Sequence, residues 1–299
     1  ESRHAVVGVV TRPDRPRGRG KHQAQSEVSS LAAEHGLPVV KPASRKDPGL
    51  IQSLQAWAPD VAVVAAFGMI LNPDVLAVPA RGCINVHASL LPKFRGAAPI
   101  QDAIIRGEAV TGVTTMLMDE GIDTGDMLLQ ASIPIGEELT AGELEEALAV
   151  AGRILLLETL DRLEDDNLTR TPQDGVLATY SPSLRPDAGY VHWNQTAAQI
   201  HNQIRGCTPR PGARCFAGGS PVKIWRALPC PESQPGAPGE VVDVDKTSLA
   251  VACAEGAVRL LEVQPAGRGR MSGGDYARGL RLKAGSGFRF DSISPMPDA

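Results

Sequence analysis

The residue types best suited to chemistry lie in residues 83–92, which read Cys-Ile-Asn-Val-His-Ala-Ser-Leu-Leu-Pro. Apolar and polar residues alternate at the start of this segment, as in a β-strand, so Asn85 and His87 should project from the same face. Pro92 cannot continue a ladder of hydrogen bonds, and the strand should therefore end in a turn there. An amide and an imidazole can both donate hydrogen bonds to an oxygen that becomes negatively charged during a reaction. An isolated Asn-x-His is more often a buried histidine beside a turn asparagine, and the rest of the chain must decide between the two interpretations.

A second candidate group is the acidic segment 119–126, Asp-Glu-Gly-Ile-Asp-Thr-Gly-Asp. Four carboxylates and two glycines in eight residues predict a tight loop after the β-rich residues 112–118. The spacing does not match that of a calcium-binding loop, and the simple interpretation is an acidic turn. The functional interpretation requires one carboxylate that points inward. Asp123 is the best candidate, because Gly121 and Gly125 flank it and permit a sharp backbone.

Residues 12–21 are strongly basic, with five arginine and lysine residues and one acidic residue. Pro13 and Pro16 exclude a helix, and the glycines allow the backbone to approach a ligand closely. The spacing does not fit a phosphate-binding P-loop. A solvated surface loop is the simple alternative, but the density of guanidinium groups favours contacts with phosphates, and with nucleic acid in particular.

An α/β framework must position these groups. Residues 5–10 and 61–66 are apolar runs typical of strands inside a parallel sheet. Residues 140–143 have the pattern of a capping box, and the helix behind them should extend to about residue 165. Further helices are predicted at residues 23–35, 47–58 and 100–106, and further strands at residues 37–40, 112–118 and 127–135. This succession predicts a doubly wound, mostly parallel α/β sheet of the Rossmann-like kind, which binds small molecules at the carboxyl ends of its strands.

The second part of the chain has a different pattern. Residues 170–190 are polar and contain three prolines, as in a connector. A helix predicted at residues 194–204 precedes short strands interrupted by Pro and Gly, which indicates a small, OB-like β-barrel. Residues 285–299 should form a tail. The predicted domains are a catalytic domain at residues 1–180, a linker at residues 181–190 and a β-barrel domain at residues 191–299.

Composition narrows the class of protein. The 299 residues are 42% hydrophobic and 21% charged, as in a soluble globular protein, and no apolar run is long enough for a membrane helix. The five cysteines show no C-x-x-C pair, which favours a reducing cytoplasm over a disulfide framework or a zinc site. Residues 1–182 carry 16 basic and 24 acidic residues, whereas residues 183–299 carry 14 and 10. The basic second part is suited to a polyanion, although surface variation alone could give these sums.

Together these motifs resemble the methionyl-tRNA formyltransferase family over nearly the whole chain. The strongest matches are Asn-Val-His-Ala-Ser-Leu-Leu-Pro at residues 85–92 and Met-Asp-Glu-Gly-Ile-Asp-Thr-Gly-Asp at residues 118–126. Further matches lie at residues 12–21, 95–101, 111–113, 180–182, 193 and 221–225. The resemblance implies transfer of a formyl group from 10-formyltetrahydrofolate to the α-amine of methionine on initiator tRNA, in the cytoplasm and without a metal or an obligate protein partner.

The resemblance also implies roles for individual residues. Asn85, His87 and Asp123 would be the catalytic set. Folate would be bound by Ser89, Leu90, Leu91, Pro92 and Gly121, and by the backbone of Met69 and Ile70, whose apolar segment could otherwise extend the core. The acceptor end of the tRNA would contact Arg15, Arg17, Arg19 and Lys21.

The implied chemistry suits these residue types. When the amine attacks the formyl carbon, the Asn85 amide and a protonated His87 can both donate to the developing oxyanion. A carboxylate within about 4–6 Å helps an imidazole to remain charged, and Asp123 can supply it. Asp123 can also accept the proton of the attacking amine, directly or through water.

Several features depart from the family pattern. The usual opening strand, with its Gly-Thr-Pro turn and first helix, has no counterpart, so an additional N-terminal segment is expected. Ser183 stands where many members carry a basic residue, and residues 288–299 have no recognised counterpart. Two alternatives stay open: a formyltetrahydrofolate enzyme that acts on a sugar or glycinamide amine, and an inactive tRNA-binding homologue. The absence of G-x-G-x-x-G disfavours a nicotinamide dehydrogenase.

Overall fold

The computed structural model describes residues 2–17, 22–230 and 236–292, with the backbone alone for residues 15–17 and 22–24. The helices are α1 (Glu27–Glu34), α2 (Pro48–Trp57), α3 (Pro73–Leu76), α4 (Pro99–Ile105), α5 (Ala141–Glu164), α6 (Ala197–Gly206) and α7 (Gly273–Gly279). The strands are β1 (Val9–Val10), β2 (Arg15–Arg17), β3 (His22–Ala24), β4 (Val39–Val40), β5 (Ala62–Val64), β6 (Cys83–His87), β7 (Arg95–Gly96), β8 (Val110–Leu117), β9 (Met127–Pro134), β10 (Tyr180–Ser181), β11 (Ala213–Ala217), β12 (Ser220–Cys230), β13 (Val241–Val244), β14 (Leu249–Ala252), β15 (Ala257–Pro265), β16 (Met271–Ser272) and β17 (Phe290–Asp291). No helix in this described part of the chain is both long and apolar enough to cross a bilayer.

The chain forms two compact units that do not follow sequence order strictly. The first unit comprises residues 1–97, 112–132 and 150–180, and the second comprises residues 98–111, 133–149 and 181–299. The final passage from the first unit to the second falls after Tyr180, at the predicted end of the catalytic domain. The second unit nevertheless takes in α4, because α4 packs on α6 and Ile105 contacts the core of that unit.

The first unit contains the strands that carry the candidate catalytic residues. A four-stranded sheet has the order β5-β6-β8-β9, in which β5 and β6 are parallel and β6 and β8 are antiparallel. A separate pair, β1 and β4, is also parallel. Except between β8 and β9, a helix lies between each of these strands and the next along the chain, as the predicted α/β class requires.

Local sequence signals explain where several helices begin. The predicted capping box of α5 is present: the Thr140 backbone N–H donates to Glu143 Oε2 at 2.9 Å, and the Glu143 N–H donates to Thr140 Oγ1 at 3.4 Å. The hydrogen bonds from Thr140 hold the pKa of Glu143 below its usual value. The prediction that a helix starts at residue 23 was wrong. Residues 22–24 pair with β2 as an antiparallel hairpin, and α1 starts after its cap Ser26, which accepts from the Ser29 N–H.

The second unit is built around an antiparallel sheet, with the strand order β13-β14-β15-β12-β11-β17 and with β16 paired to β15. The sheet curls into a half-barrel, which confirms the predicted β domain. The prediction of a tail at residues 285–299 was wrong for Phe290. This residue lies in β17, pairs with Ala217 of β11 and is buried against Trp193 and Tyr276. All five cysteines are free, as predicted.

Gly112 provides a test of the packing between β8 and β9. A Cβ atom at this position would lie 2.1 Å from the Ala131 carbonyl oxygen and 2.6 Å from Leu90 Cδ2. We expect Gly112→Ala to destabilise the protein by about 1–3 kcal/mol in urea denaturation, since backbone cannot yield as a flexible side chain can. Gly175→Ala is the control, because nothing lies within 4 Å of its Cβ position. Equal denaturation midpoints for the two variants would contradict this packing.

His201 provides a test of pH dependence. Its ring is buried in α6, and burial, aided by the nearby Arg205 cation, lowers the pKa below 6.5, whereas Glu138 and Glu137 act in the opposite direction. Between the folded pKa and about 6.5 the unfolded chain binds more protons, so the free energy of unfolding should fall as the pH drops through this window.

We expect His201→Gln to flatten this part of the stability curve, measured by urea denaturation in steps between pH 7.5 and pH 5. His192→Gln replaces an exposed histidine of the same unit and controls for the loss of an imidazole. If the free energy of unfolding has the same slope against pH in the wild type and in His201→Gln, the lowered pKa of His201 has no effect on folding.

Candidate active site

Strand β6 positions two of the three predicted catalytic side chains. The strand is paired on both sides: Asn85 lies opposite Val64 of β5 and Met116 of β8, and His87 lies opposite Thr114 of β8. The two-residue period of this strand places Asn85 and His87 on one face, as predicted. Because β6 is hydrogen-bonded along both edges, these side chains start from a backbone that cannot easily shift.

The third predicted residue, Asp123, lies beside the other two. Its Oδ1 accepts a hydrogen bond from Asn85 Nδ2 at 3.2 Å, and its Oδ2 lies 3.6 Å from His87 Nδ1. Oδ2 also accepts from the Gly96 backbone N–H at 2.9 Å. Only 16% of the Asp123 side chain is exposed, so the carboxylate faces the protein and not the solvent. The structure therefore brings together the amide, the imidazole and the carboxylate.

The sharp backbone of the acidic loop is at Asp123 and not at the glycines that flank it. Asp123 itself, at φ 53°, adopts the left-handed conformation, which Asp tolerates better than most residues. The flanking glycines are required for another reason, namely close approach. A Cβ atom at Gly125 would lie 1.9 Å from the Leu117 carbonyl oxygen, and one at Gly121 would lie 1.9 Å from Thr124 Oγ1.

The hydrogen bonds of His87 define which ring nitrogen is available. Nε2 lies 2.9 Å from the Phe94 carbonyl oxygen, which can only accept, so Nε2 carries a hydrogen and donates it. Nδ1 is the nitrogen that faces Asp123. Any hydrogen bond from this ring to a substrate must therefore come from Nδ1, a detail that residue spacing does not specify.

Two polar groups of the predicted folate-binding residues 89–92 are already hydrogen-bonded within the protein. Ser89 is buried and its hydroxyl donates to the Lys93 carbonyl at 2.7 Å, while the Leu91 N–H donates to Thr114 Oγ1 at 3.1 Å. Leu90 and Pro92 are half-buried and present apolar surface.

The remaining predicted folate contacts lie in two loops. Met69 is half-buried, Ile70 is exposed, and Gly121 is exposed in the acidic loop. The loop that carries Met69 is held by Arg12, whose Nε donates to the Phe67 carbonyl at 2.7 Å. The folate contacts of these residues stay predictions.

The basic segment forms a hairpin of which only part is described. Arg15 lies opposite Ala24 and Arg17 opposite His22, so the backbone there is an antiparallel pair of strands and not an irregular loop. Arg19 and Lys21 fall in residues 18–21, outside the described residues. Contacts of these four side chains with tRNA stay predictions.

Sequence reasoning missed Gln173, which contacts the acidic loop directly. Its Nε2 donates to the Asp123 carbonyl at 2.9 Å and to the Gly125 carbonyl at 2.7 Å. Gln173 belongs to a polar stretch that resembles a connector, and no motif or periodicity in the sequence distinguishes it from its neighbours.

Comparisons with known proteins identify the relatives of this chain. The family described as "Formyl transferase" matches residues 1–160, and "Formyl transferase, C-terminal domain" matches residues 183–281. The methionyl-tRNA formyltransferase of Ruminiclostridium cellulolyticum is 44% identical over 282 residues, which are 94% of this chain and 90% of that protein. That of Pelotomaculum thermopropionicum is 45% identical over 286 residues, which are 95% of this chain and 91% of that protein.

Solved structures show the same fold at lower identity. HypX from Aquifex aeolicus in complex with tetrahydrofolic acid superposes with a TM-score of 0.64 at 18% identity, over 98% of this chain and 50% of that one. An N-formyltransferase from Helicobacter canadensis, in complex with folinic acid and dTDP-3-aminofucose, gives a TM-score of 0.65 at 17% identity, over 87% and 100% of the two chains. These two likenesses support the formyltransferase fold, and the sequence relatives go further: the chain belongs to the methionyl-tRNA formyltransferase family.

Proposed function

We propose that this protein transfers a formyl group from 10-formyltetrahydrofolate to the α-amine of methionine on initiator tRNA. The observation that carries the proposal is the convergence of Asn85, His87 and Asp123, in a chain 44% identical to methionyl-tRNA formyltransferases over 94% of its length. The reaction forms a C–N bond to the methionine amine and breaks the C–N bond to the folate. A negatively charged oxygen develops between these two events, and the amine must lose a proton.

Asn85 is placed to stabilise that oxygen. Its amide nitrogen has two hydrogens, of which one is used on Asp123 Oδ1. The other can be donated to the oxyanion, and one such donor typically lowers a barrier by roughly 3 kcal/mol. When its ring carries both hydrogens, His87 can also donate to the oxyanion from Nδ1, since Nε2 is occupied by the Phe94 carbonyl.

Asp123 is placed to accept the proton of the attacking amine. Its carboxylate accepts the proton that the attacking amine loses, directly or through water, and the proton finally resides on the departing folate nitrogen. The bonds from Asn85 and Gly96 orient both carboxylate oxygens before the substrate arrives, which removes reorganisation from the reaction.

The residues around this centre suit a flat, apolar co-substrate. Leu90, Pro92 and Met69 are half-buried and could pack against a heterocycle, with backbone groups bonding to its edges. The Ser89 hydroxyl is already bonded to the Lys93 carbonyl, so this residue would contribute through its backbone.

The proposed partner is initiator methionyl-tRNA and the proposed compartment is the cytoplasm. Arg15, Arg17, Arg19 and Lys21 supply charges that can contact phosphates at the acceptor end. The cysteines suit a reducing compartment, because all five are free and burial raises the pKa of Cys83 to about 11, which keeps that thiol protonated and unreactive.

Asp123→Asn tests the catalytic assignment. We expect the turnover number to fall by about 10²-fold or more, because the variant keeps the shape of the side chain but cannot accept a proton. The assay is formyl transfer from 10-formyltetrahydrofolate to methionyl-tRNA, with uncharged tRNA and an amino-sugar nucleotide as comparison substrates. Glu120→Gln removes an exposed charge from the same loop and should leave the rate unchanged. Near-normal transfer by Asp123→Asn at saturating substrates would refute the role of Asp123.

Arg19→Ala tests the role of the basic segment. If this side chain contacts a phosphate, the variant should bind methionyl-tRNA less tightly and the slope of log K against log salt should decrease by about 1. Arg45→Ala removes an exposed arginine elsewhere in the first unit and is the control. Unchanged affinity and slope in Arg19→Ala, measured by filter binding between 50 and 200 mM salt, would exclude this contact.

A further inference from the structure

We propose that Gln173, held in place by Arg95, is a positioning residue that fixes the carboxylate of Asp123. The inference rests on the proposed function for its catalytic consequence, while the contacts themselves are independent of it. All the groups involved belong to the first unit. They form what we call the brace: the side chains of Arg95 and Gln173 with the backbone of residues 123–125.

The amide of Gln173 donates both of its hydrogens to backbone carbonyls of the acidic loop. The acceptors are the carbonyl oxygens of Asp123, at 2.9 Å, and Gly125, at 2.7 Å. These two carbonyls lie on either side of Thr124, so the bonds fix the course of the chain immediately after the left-handed Asp123. Side-chain donors that satisfy two loop carbonyls replace the hydrogen bonds that a strand or helix would provide.

Arg95 holds the other end of this amide. Its Nε and Nη2 donate to Gln173 Oε1 at 3.0 and 2.8 Å, and only 5% of Arg95 is exposed. A buried guanidinium that binds one acceptor with two N–H groups is difficult to displace, since an unpaired buried charge is costly. Gln173 is therefore presented to the loop in one orientation.

The backbone next to Arg95 also contacts Asp123. Arg95 donates its backbone N–H to the Thr179 carbonyl at 2.8 Å, and the next residue, Gly96, donates its N–H to Asp123 Oδ2 at 2.9 Å. Asp123 is thus held at its carbonyl by Gln173 and at its carboxylate by Gly96. Residues 95 and 96 take part in both contacts, because Arg95 orients Gln173 and Gly96 donates to the carboxylate directly.

The loop gains little support from packing, because its residues 119–122 are exposed. Ile122, the residue before Asp123, is 53% exposed, and Asp123 occupies the left-handed conformation, which is unfavourable for a residue other than glycine. If the loop relaxed, the carboxylate would leave its positions 3.2 Å from Asn85 Nδ2 and 3.6 Å from His87 Nδ1. A displacement of about 1 Å at a reacting group can lower a rate by about 10²-fold.

The test variant is Gln173→Leu, which keeps the volume of the side chain and removes its donors and acceptor. Two readouts apply to it: hydrogen exchange of peptides covering residues 119–126, and the steady-state rate of formyl transfer to methionyl-tRNA. We expect faster exchange in the loop and a turnover number lower by about 10–10²-fold, with the KM values for both substrates unchanged.

The matched control is Gln203→Leu. The Gln203 amide also donates to two backbone carbonyls, those of Ala188 at 2.9 Å and Tyr190 at 2.8 Å, but in the second unit. This variant should leave both the exchange of residues 119–126 and the rate at wild-type values.

A double variant separates positioning from general destabilisation. If Gln173 acts only through Asp123, Gln173→Leu should cause no further loss of rate in the Asp123→Asn background, whereas a merely structural effect would lower the rate again. Unchanged loop exchange, an unchanged rate or additive losses would each overturn the inference. If the wild-type protein fails to formylate methionyl-tRNA while loop exchange still rises in Gln173→Leu, the proposed function is wrong and the brace is confirmed as a structural device.

Discussion

The carboxylate of Asp123 makes the contacts on which the rest of the site depends. Moving a charged group out of water is unfavourable unless hydrogen bonds replace those lost to solvent. Here each oxygen has a donor, Asn85 for Oδ1 and the Gly96 backbone for Oδ2. The bonds that make this burial tolerable also set the orientation of the carboxylate toward His87, so the stability of the loop and the geometry of the site have the same physical origin.

This arrangement depends in turn on the register of β6. Asn85 and His87 share a face only because they lie two positions apart in the strand, and a slip of one residue would turn both away from the acidic loop. The strand resists such a slip because it is paired on both sides and because Ile84, which points away from this face, is fully buried. Sheet packing distant from the chemistry is therefore part of what fixes the distances within the site.

Local patterns predicted the elements whose cause is local. The capping box at Thr140 and Glu143 is formed by residues three positions apart, and the common face of Asn85 and His87 follows from the period of a strand. Predictions failed where a segment pairs with another segment of the chain, whether near or distant in sequence. Helix α1 begins later than its apolar pattern indicates because residues 22–24 pair with residues 15–17, and Phe290 is not in a tail because it pairs with β11.

The sequence alone determined the candidate catalytic residues, their strand and loop, the basic segment and the family, since each is contained in a short, contiguous motif. Only the tertiary structure decided which atoms meet: that His87 Nε2 is occupied by a carbonyl, that the Ser89 hydroxyl turns to its own loop, and that Gln173 holds a segment some fifty positions earlier in the chain. A side chain selects its hydrogen-bond partner from all the groups that folding brings within about 3 Å, and its neighbours in sequence carry no information about that choice.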